Sequence, residues 1–236
     1  MKIDFFGCNY FHKLNSFNIE LHTILNLHNH SESYWQTVEE DVNNSMLAEI
    51  KGADTEVHEN IVDAYVDDLV TAQSTAPIFH RETILVSLYC QTEYTLLEYC
   101  SCFNQDVMGK DSNFDKLSRH AVLDNIYRYM QDVMGFDLTS LKDEWEYLKN
   151  IKLIRNRLVH TNGKVEKNPM EIESFCEKNV NFRIQNGFIV LQKGAIDDVI
   201  NVLMKLLDKL ENENQLFIGR HQAKFGVFEH TGFNNV

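Results

Sequence analysis

The sequence predicts an all-α fold that carries one small β-hairpin. Breakers are scarce: 236 residues include only two prolines, Pro77 and Pro169, and ten glycines, so long segments have nothing to interrupt a helix. The apolar pairs Ile61/Val62, Tyr65/Val66 and Leu69/Val70 recur every four residues, the spacing of a broad buried stripe. One dipeptide, Asn186-Gly187, sits between two apolar runs over 180–192, which is a local hairpin signal.

In chain order, residues 16–28 and 34–51 read as helices. The second is opened by Ser33 with Gln36 three residues on and closed by Gly52. A third runs from Asp54 to about Ser74 and is broken by Thr75-Ala76-Pro77. A fourth follows from about Ile78 to Phe103, with Ile84/Leu85, Leu88/Tyr89, Leu96/Leu97, Cys100 and Phe103 on its stripe. Residues 104–113 are polar and read as a loop, and a helix over roughly 114–134 ends at Gly135. The next helix starts near Thr139 or Ser140, with Asp143 and Glu144 favourable in its first turn. Tyr147, Leu148, Ile151, Ile154 and Leu158 give it one apolar face, and Thr161-Asn162-Gly163 closes it. A last helix spans about Ala195 to Glu211, and the tail beyond it has no assignment.

Length and a 44 % hydrophobic content suit one large domain, or a domain with an elaborated end. The N-terminus lacks the continuous apolar run of a secretory signal, and no segment has the length of a membrane span. The five cysteines (Cys8, Cys90, Cys100, Cys102 and Cys176) are odd in number and mostly in apolar helical context. They read as reduced thiols of a cytoplasmic protein, and no second ligand pair completes a zinc site with Cys100-x-Cys102.

A net charge of −13 argues against non-specific nucleic-acid binding by the whole surface. The charge is nonetheless uneven. Lys149, Lys152, Arg155, Arg157, Lys164 and Lys167 face one acid, Glu166, within nineteen residues, while the rest of the chain has sixteen bases against thirty-four acids. A charge run of this kind is either a solvated face or a local site for phosphate. At about 100° per residue, Asn156 and His160 share a face that points away from the core stripe, and Arg155 lies between the two. Trp145 and Leu153 flank the same outward side, which suggests a surface covered by a partner.

The run Arg155-Asn156-Arg157-Leu158-Val159-His160 resembles the R-N-x-x-x-H signature of HEPN domains, in which the motif ends a long helix and a turn follows. The earlier helix containing "ETILVSLYCQTEYTLLEYC" resembles the one that pairs with the motif helix in that family. The resemblance covers roughly residues 55–210. It implies an antiparallel helical bundle of HEPN type over 54–211 with the hairpin at 180–192, an N-terminal helical extension packed on it at 1–53, and a tail at 212–236. Many members are metal-independent ribonucleases of toxin–antitoxin, abortive-infection and CRISPR systems, and others are catalytically silent. The resemblance therefore implies an endoribonuclease without cofactor, acting in phage defence or as a toxin. It would be a homodimer in which two motifs face each other, with an antitoxin or defence-system partner and no membrane. The alternative is a silent HEPN-like module that binds a protein or nucleotide.

The chemistry suits these residue types. Attack by an internal 2′-hydroxyl needs a proton acceptor and a donor for the leaving oxygen, and histidine serves both near neutral pH. Negative charge gathers on the phosphorus centre, where Arg155 would hold it through bidentate hydrogen bonds. Asn156 would orient the histidine or the phosphate. Lys152, Arg157 and Lys164 would guide the RNA backbone, with single strands or tRNA loops as targets, since in-line attack needs a flexible chain. The helix dipole at His160 favours the cationic ring. Each residue also has an ordinary reading: His160 bonding the last carbonyls, Arg155 in a structural ion pair, Asn156 simply at a helix end.

Glu93, at the edge of its stripe, either forms an intramolecular salt bridge or presets Arg155 for phosphate. His28-x-His30 read as loop histidines, and His221 and His230 have no assigned role. HEPN toxins silenced by adenylylation often carry a tyrosine two residues after the motif histidine. Asn162 stands there in this chain, which puts that route in doubt.

Overall fold

The computed structural model describes residues 1–110, 122–166 and 169–228, and the fold is mainly helical, as the breaker count predicts. Among the described residues the elements are helices α1 (Asn9–Gly52), α2 (His58–Val70), α3 (Ala76–Asp106), α4 (Val122–Asp132), α5 (Lys142–Thr161), α6 (Pro169–Lys178) and α7 (Ala195–Phe225) and one antiparallel pair, β1 (Phe182–Gln185) and β2 (Phe188–Leu191). Among the described residues no helix is long and apolar enough to cross a membrane.

Five expectations for the helices need correction. The two N-terminal helices are one: Ser33, expected as an N-cap, instead donates its hydroxyl to the Asn29 carbonyl one turn back, and Thr37 does the same to Ser33. With no proline or glycine between Asn9 and Lys51, nothing stops the helix. Thr75-Ala76-Pro77 does not break the chain either. A single π-turn, Thr71–Thr75, joins α2 to α3, with the Ala76 N–H bonding the Thr71 carbonyl. The wider turn accommodates a proline that has no N–H to offer the Gln73 carbonyl. Helix α3 continues three residues past Phe103, and α7 runs on to Phe225 rather than stopping at Glu211. Helix α5 is opened neither by Thr139 nor by Ser140: Asp137 accepts from the Thr139 N–H at 3.0 Å and caps a short 3-10 turn, Leu138–Leu141, that leads into it. The first part of the helix expected over 114–134 lies outside the described residues, as do Lys167 and His230.

The chain forms two compact units, and the long helices contribute to both. One comprises Met1–Leu21, Tyr89–Ile151 and the chain from Asn201 on, and the other His22–Leu88 and Lys152–Ile200. The first unit is held by aromatic edges. Phe5 meets Tyr10 and Phe217, Phe103 meets Tyr10 and Phe217, and Leu96, Tyr99, Ile126 and Met130 are fully buried. Trp145 belongs to this core. It is 3 % exposed and meets the Tyr127 ring edge-on, so it does not flank an outward face as its position in the helix suggested. Glu144 receives Lys209 at 2.6 Å.

The second unit buries Leu85, Leu88, Ile154, Ile172, Phe175, Phe182, Ile189 and Leu191. The hairpin turns at Asn186-Gly187, both with positive φ (52° and 82°), as the sequence predicts. Its register pairs Phe182 with Leu191 and Ile184 with Ile189.

Candidate functional site

The motif occupies the last turns of α5, within the second unit. Ile154 is fully buried, and this fixes the rotation of the helix. Arg155, Asn156 and Arg157 are then half-buried, while Val159 and His160 are exposed. Arg155 Nη1 donates to Asn156 Oδ1 at 3.0 Å, so adjacent side chains are coupled and the amide fixes one edge of the guanidinium. His160 is exposed, and no hydrogen bond of its ring is found among the described residues.

At the end of α5 the Arg157 carbonyl accepts from the Gly163 N–H and from the Thr161 hydroxyl, each at 3.0 Å. Asn162 and Gly163 both adopt positive φ (50° and 82°), which closes the helix in the left-handed turn that the sequence predicts. The chain after the turn then joins the hairpin. The Ile189 N–H donates to the Gly163 carbonyl at 2.9 Å, the Val165 N–H to the Gly187 carbonyl at 3.0 Å, and Lys164 bridges Phe188. A β-hairpin thus clamps the backbone immediately after His160.

The basic run is more neutral in space than along the sequence. Lys164 pairs with Glu166 at 2.7 Å, which holds its ammonium above the usual range, and Lys149 in the first unit pairs with Asp124 and Glu146. Lys152 and Arg157 are half-buried, and Arg157 Nε is buried with no hydrogen-bond partner among the described residues. Glu93 lies in the first unit, where its Oε1 accepts from the Tyr89 hydroxyl at 2.9 Å. Among the described residues no group of three or more His, Cys, Asp or Glu is placed to hold a metal ion. None of the five cysteines forms a disulfide among the described residues. Burial pushes the thiols of Cys8 and Cys176 up to about 11 and that of the fully buried Cys100 higher still, which makes them poor nucleophiles. His221 lies on α7 among Phe5, Phe217 and Phe225.

Sequence reasoning missed a second polar cluster in the same unit. His28 is on α1, not in a loop, and it is wholly buried. Its Nδ1 lies 3.3 Å from His80 Nε2, and its Nε2 faces Glu32 Oε1 at 3.9 Å and Asp197 Oδ2 at 3.7 Å. Arg81 forks onto Glu32 and also donates Nη1 to the Leu191 carbonyl at the end of β2. Beside it a cleft of about 540 Å³ is lined by Trp35, Gln36, Gln73, Arg81 and Lys193. The i, i+4 spacing of His28 and Glu32 was the one available signal in the sequence.

The fold and the site together define a mainly helical protein whose longest basic segment ends in a clamped Arg-Asn-His constellation. Compared with family models, curated proteins and solved structures, the chain matches none.

Proposed function

We propose that this protein is a metal-independent endoribonuclease of HEPN type, acting as a homodimer in which Arg155 and His160 of both copies form the site. The observation that carries the reading is the Arg155–Asn156 hydrogen bond at 3.0 Å, one helical turn from an exposed His160 whose following backbone is clamped. A phosphate on this surface would meet a guanidinium already oriented by its neighbour, and a ring open to a 2′-hydroxyl or a leaving 5′-oxygen. Two exposed half-sites become one when a twofold axis brings them together. Val159, 48 % exposed between the polar groups, supplies apolar surface for that contact. Lys152, Arg157 and Lys164 guide single-stranded RNA or a tRNA loop. The setting is the cytoplasm, in phage defence or as a toxin, with an antitoxin or defence-system partner.

Purified protein in EDTA should cleave RNA, and Arg155→Ala and His160→Ala should each abolish cleavage while leaving the dimer intact by light scattering. A monomeric wild type, or an inert one, overturns the reading.

A second reading has its own support. The net charge of −13 and the Lys164–Glu166 pair weaken the basic surface, which favours a silent HEPN-like module that binds a protein or nucleotide. Expression in bacteria separates the two: growth arrest relieved by His160→Ala supports the enzyme, and harmless expression of both supports the module.

A further inference from the structure

The His28–His80 pair has a geometry that a packing role does not require. The ring planes are parallel within 4° and the centroids are 5.4 Å apart, too far for face-to-face stacking. The facing nitrogens are only 3.3 Å apart, closer than the centroids by about the width of one ring. The imidazoles therefore lie edge to edge in nearly one plane, with room for a single proton between them. On the far side of His28 stand the carboxylates of Glu32 and Asp197. The carboxylates stand just beyond hydrogen-bond reach of His28 Nε2, which is buried without a hydrogen-bond partner among the described residues, so this row across α1, α3 and the first turn of α7 is bonded only at the His28–His80 contact.

We propose that this pair is a proton-operated latch on the hairpin that clamps the motif helix. With both rings neutral, the Glu32 carboxylate is free to take the whole Arg81 fork, and Arg81 in turn holds the Leu191 carbonyl of β2. A proton captured by the pair places a cation beside Arg81 and a competitor for Glu32 Oε1, the atom that Arg81 Nε uses. Two cations then share one buried carboxylate, and the Arg81 contact to β2 weakens. Strand β2 carries Ile189, whose N–H holds the Gly163 carbonyl, and the adjoining Gly187 carbonyl holds Val165. Loosening β2 therefore releases the backbone just after His160.

The charged groups around the pair work in both directions. Glu32 on α1 and Asp197 on α7 favour the proton, Arg81 on α3 opposes it, and Lys193 before α7 acts on Glu32. Burial outweighs the carboxylates, so both rings titrate below the ordinary imidazole value. At neutral pH the latch is closed, and it opens as the pH falls below the ordinary imidazole value. Because the two sites share one proton, they titrate as a coupled unit.

Hydrogen exchange on the full chain tests this, with rates divided by the intrinsic rate at each pH. Between about pH 7.5 and about pH 5.5, protection of the Val165 and Ile189 amides should fall on the order of tenfold. The Phe136 amide, which bonds Met130 in the first unit, should keep its protection. His28→Gln, which removes the nitrogen that faces Glu32, should lose the fall. Equal protection at both pH values, or the same fall in His28→Gln, overturns the proposal. In the wild type the NMR signals of the two rings should move together at a midpoint below that of a free imidazole. Independent titration overturns it as well, whether or not the variant folds. None of these readouts depends on RNA cleavage.

Discussion

Arg81 grips Glu32 through two short bonds, Nε to Oε1 at 2.7 Å and Nη2 to Oε2 at 2.6 Å, with each side chain only 10 % exposed. The pair ties α1 to α3, and the third Arg81 contact, to the Leu191 carbonyl at 3.3 Å, extends the tie to the hairpin. Removing one partner of a buried pair leaves the other charged and unsolvated. Arg81→Ala should therefore cost about 3–5 kcal/mol. The double replacement Glu32→Leu with Arg81→Leu should cost much less, since it leaves no orphaned charge. Urea unfolding of the two variants measures the difference. Equal losses would mean that the pair acts through packing alone.

The same cluster sets the pH dependence of stability. His28 and His80 titrate below the ordinary imidazole value because burial disfavours the cation. Between that lowered value and about 6.5 the unfolded chain binds more protons than the native one, so stability falls as the pH drops through this window. Glu32 works at lower pH. Arg81 holds its carboxyl below the usual range, so its contribution is present at neutral pH and is lost as the pH falls through that lowered value. Chemical denaturation from neutral to acid pH should show two successive declines, the first smaller in His80→Gln than in the wild type.

Gly163 is the backbone pivot between motif and clamp. Its φ of 82° suits glycine, and an added Cβ would lie 3.4 Å from the Ile189 carbonyl and 3.5 Å from Leu158 Cδ2. Gly163→Ala should cost about 1–2 kcal/mol from the left-handed conformation alone. It should also reduce exchange protection at Val165 more than at Phe136. A thermal melt unchanged from wild type would show that the turn relaxes freely.

Legibility of the fold followed the range of the interaction. Asn186-Gly187 and Asn162-Gly163 announced their turns because the left-handed requirement is local to two residues. The apolar spacing of Leu148, Ile151 and Ile154 gave the buried face of α5 for the same reason. Ser33 misled because a serine serves equally as an N-cap or as a back-bonder within a helix, and only the surrounding packing decides. Pro77 misled because a π-turn absorbs a missing donor that usually ends a helix. Trp145 is buried through Tyr127, eighteen residues away, which helical periodicity does not report. The His28–His80 chain joins residues fifty-two apart, and the arm of Arg81 that holds Leu191 spans one hundred and ten. In the motif itself, residue types and order were legible, while the Arg155–Asn156 bond and the hairpin clamp came only with the fold.

The central claim is that Arg155 and His160 cleave RNA by way of its own 2′-hydroxyl. The most direct measurement is the chemistry of the new ends, after purified protein is incubated with tRNA in EDTA. Internal attack leaves a 2′,3′-cyclic phosphate on one fragment and a free 5′-hydroxyl on the other. The account predicts these ends with the wild type and no cleavage with His160→Ala. Cleavage that persists in purified His160→Ala protein, or fragments bearing 5′-phosphates, would contradict it.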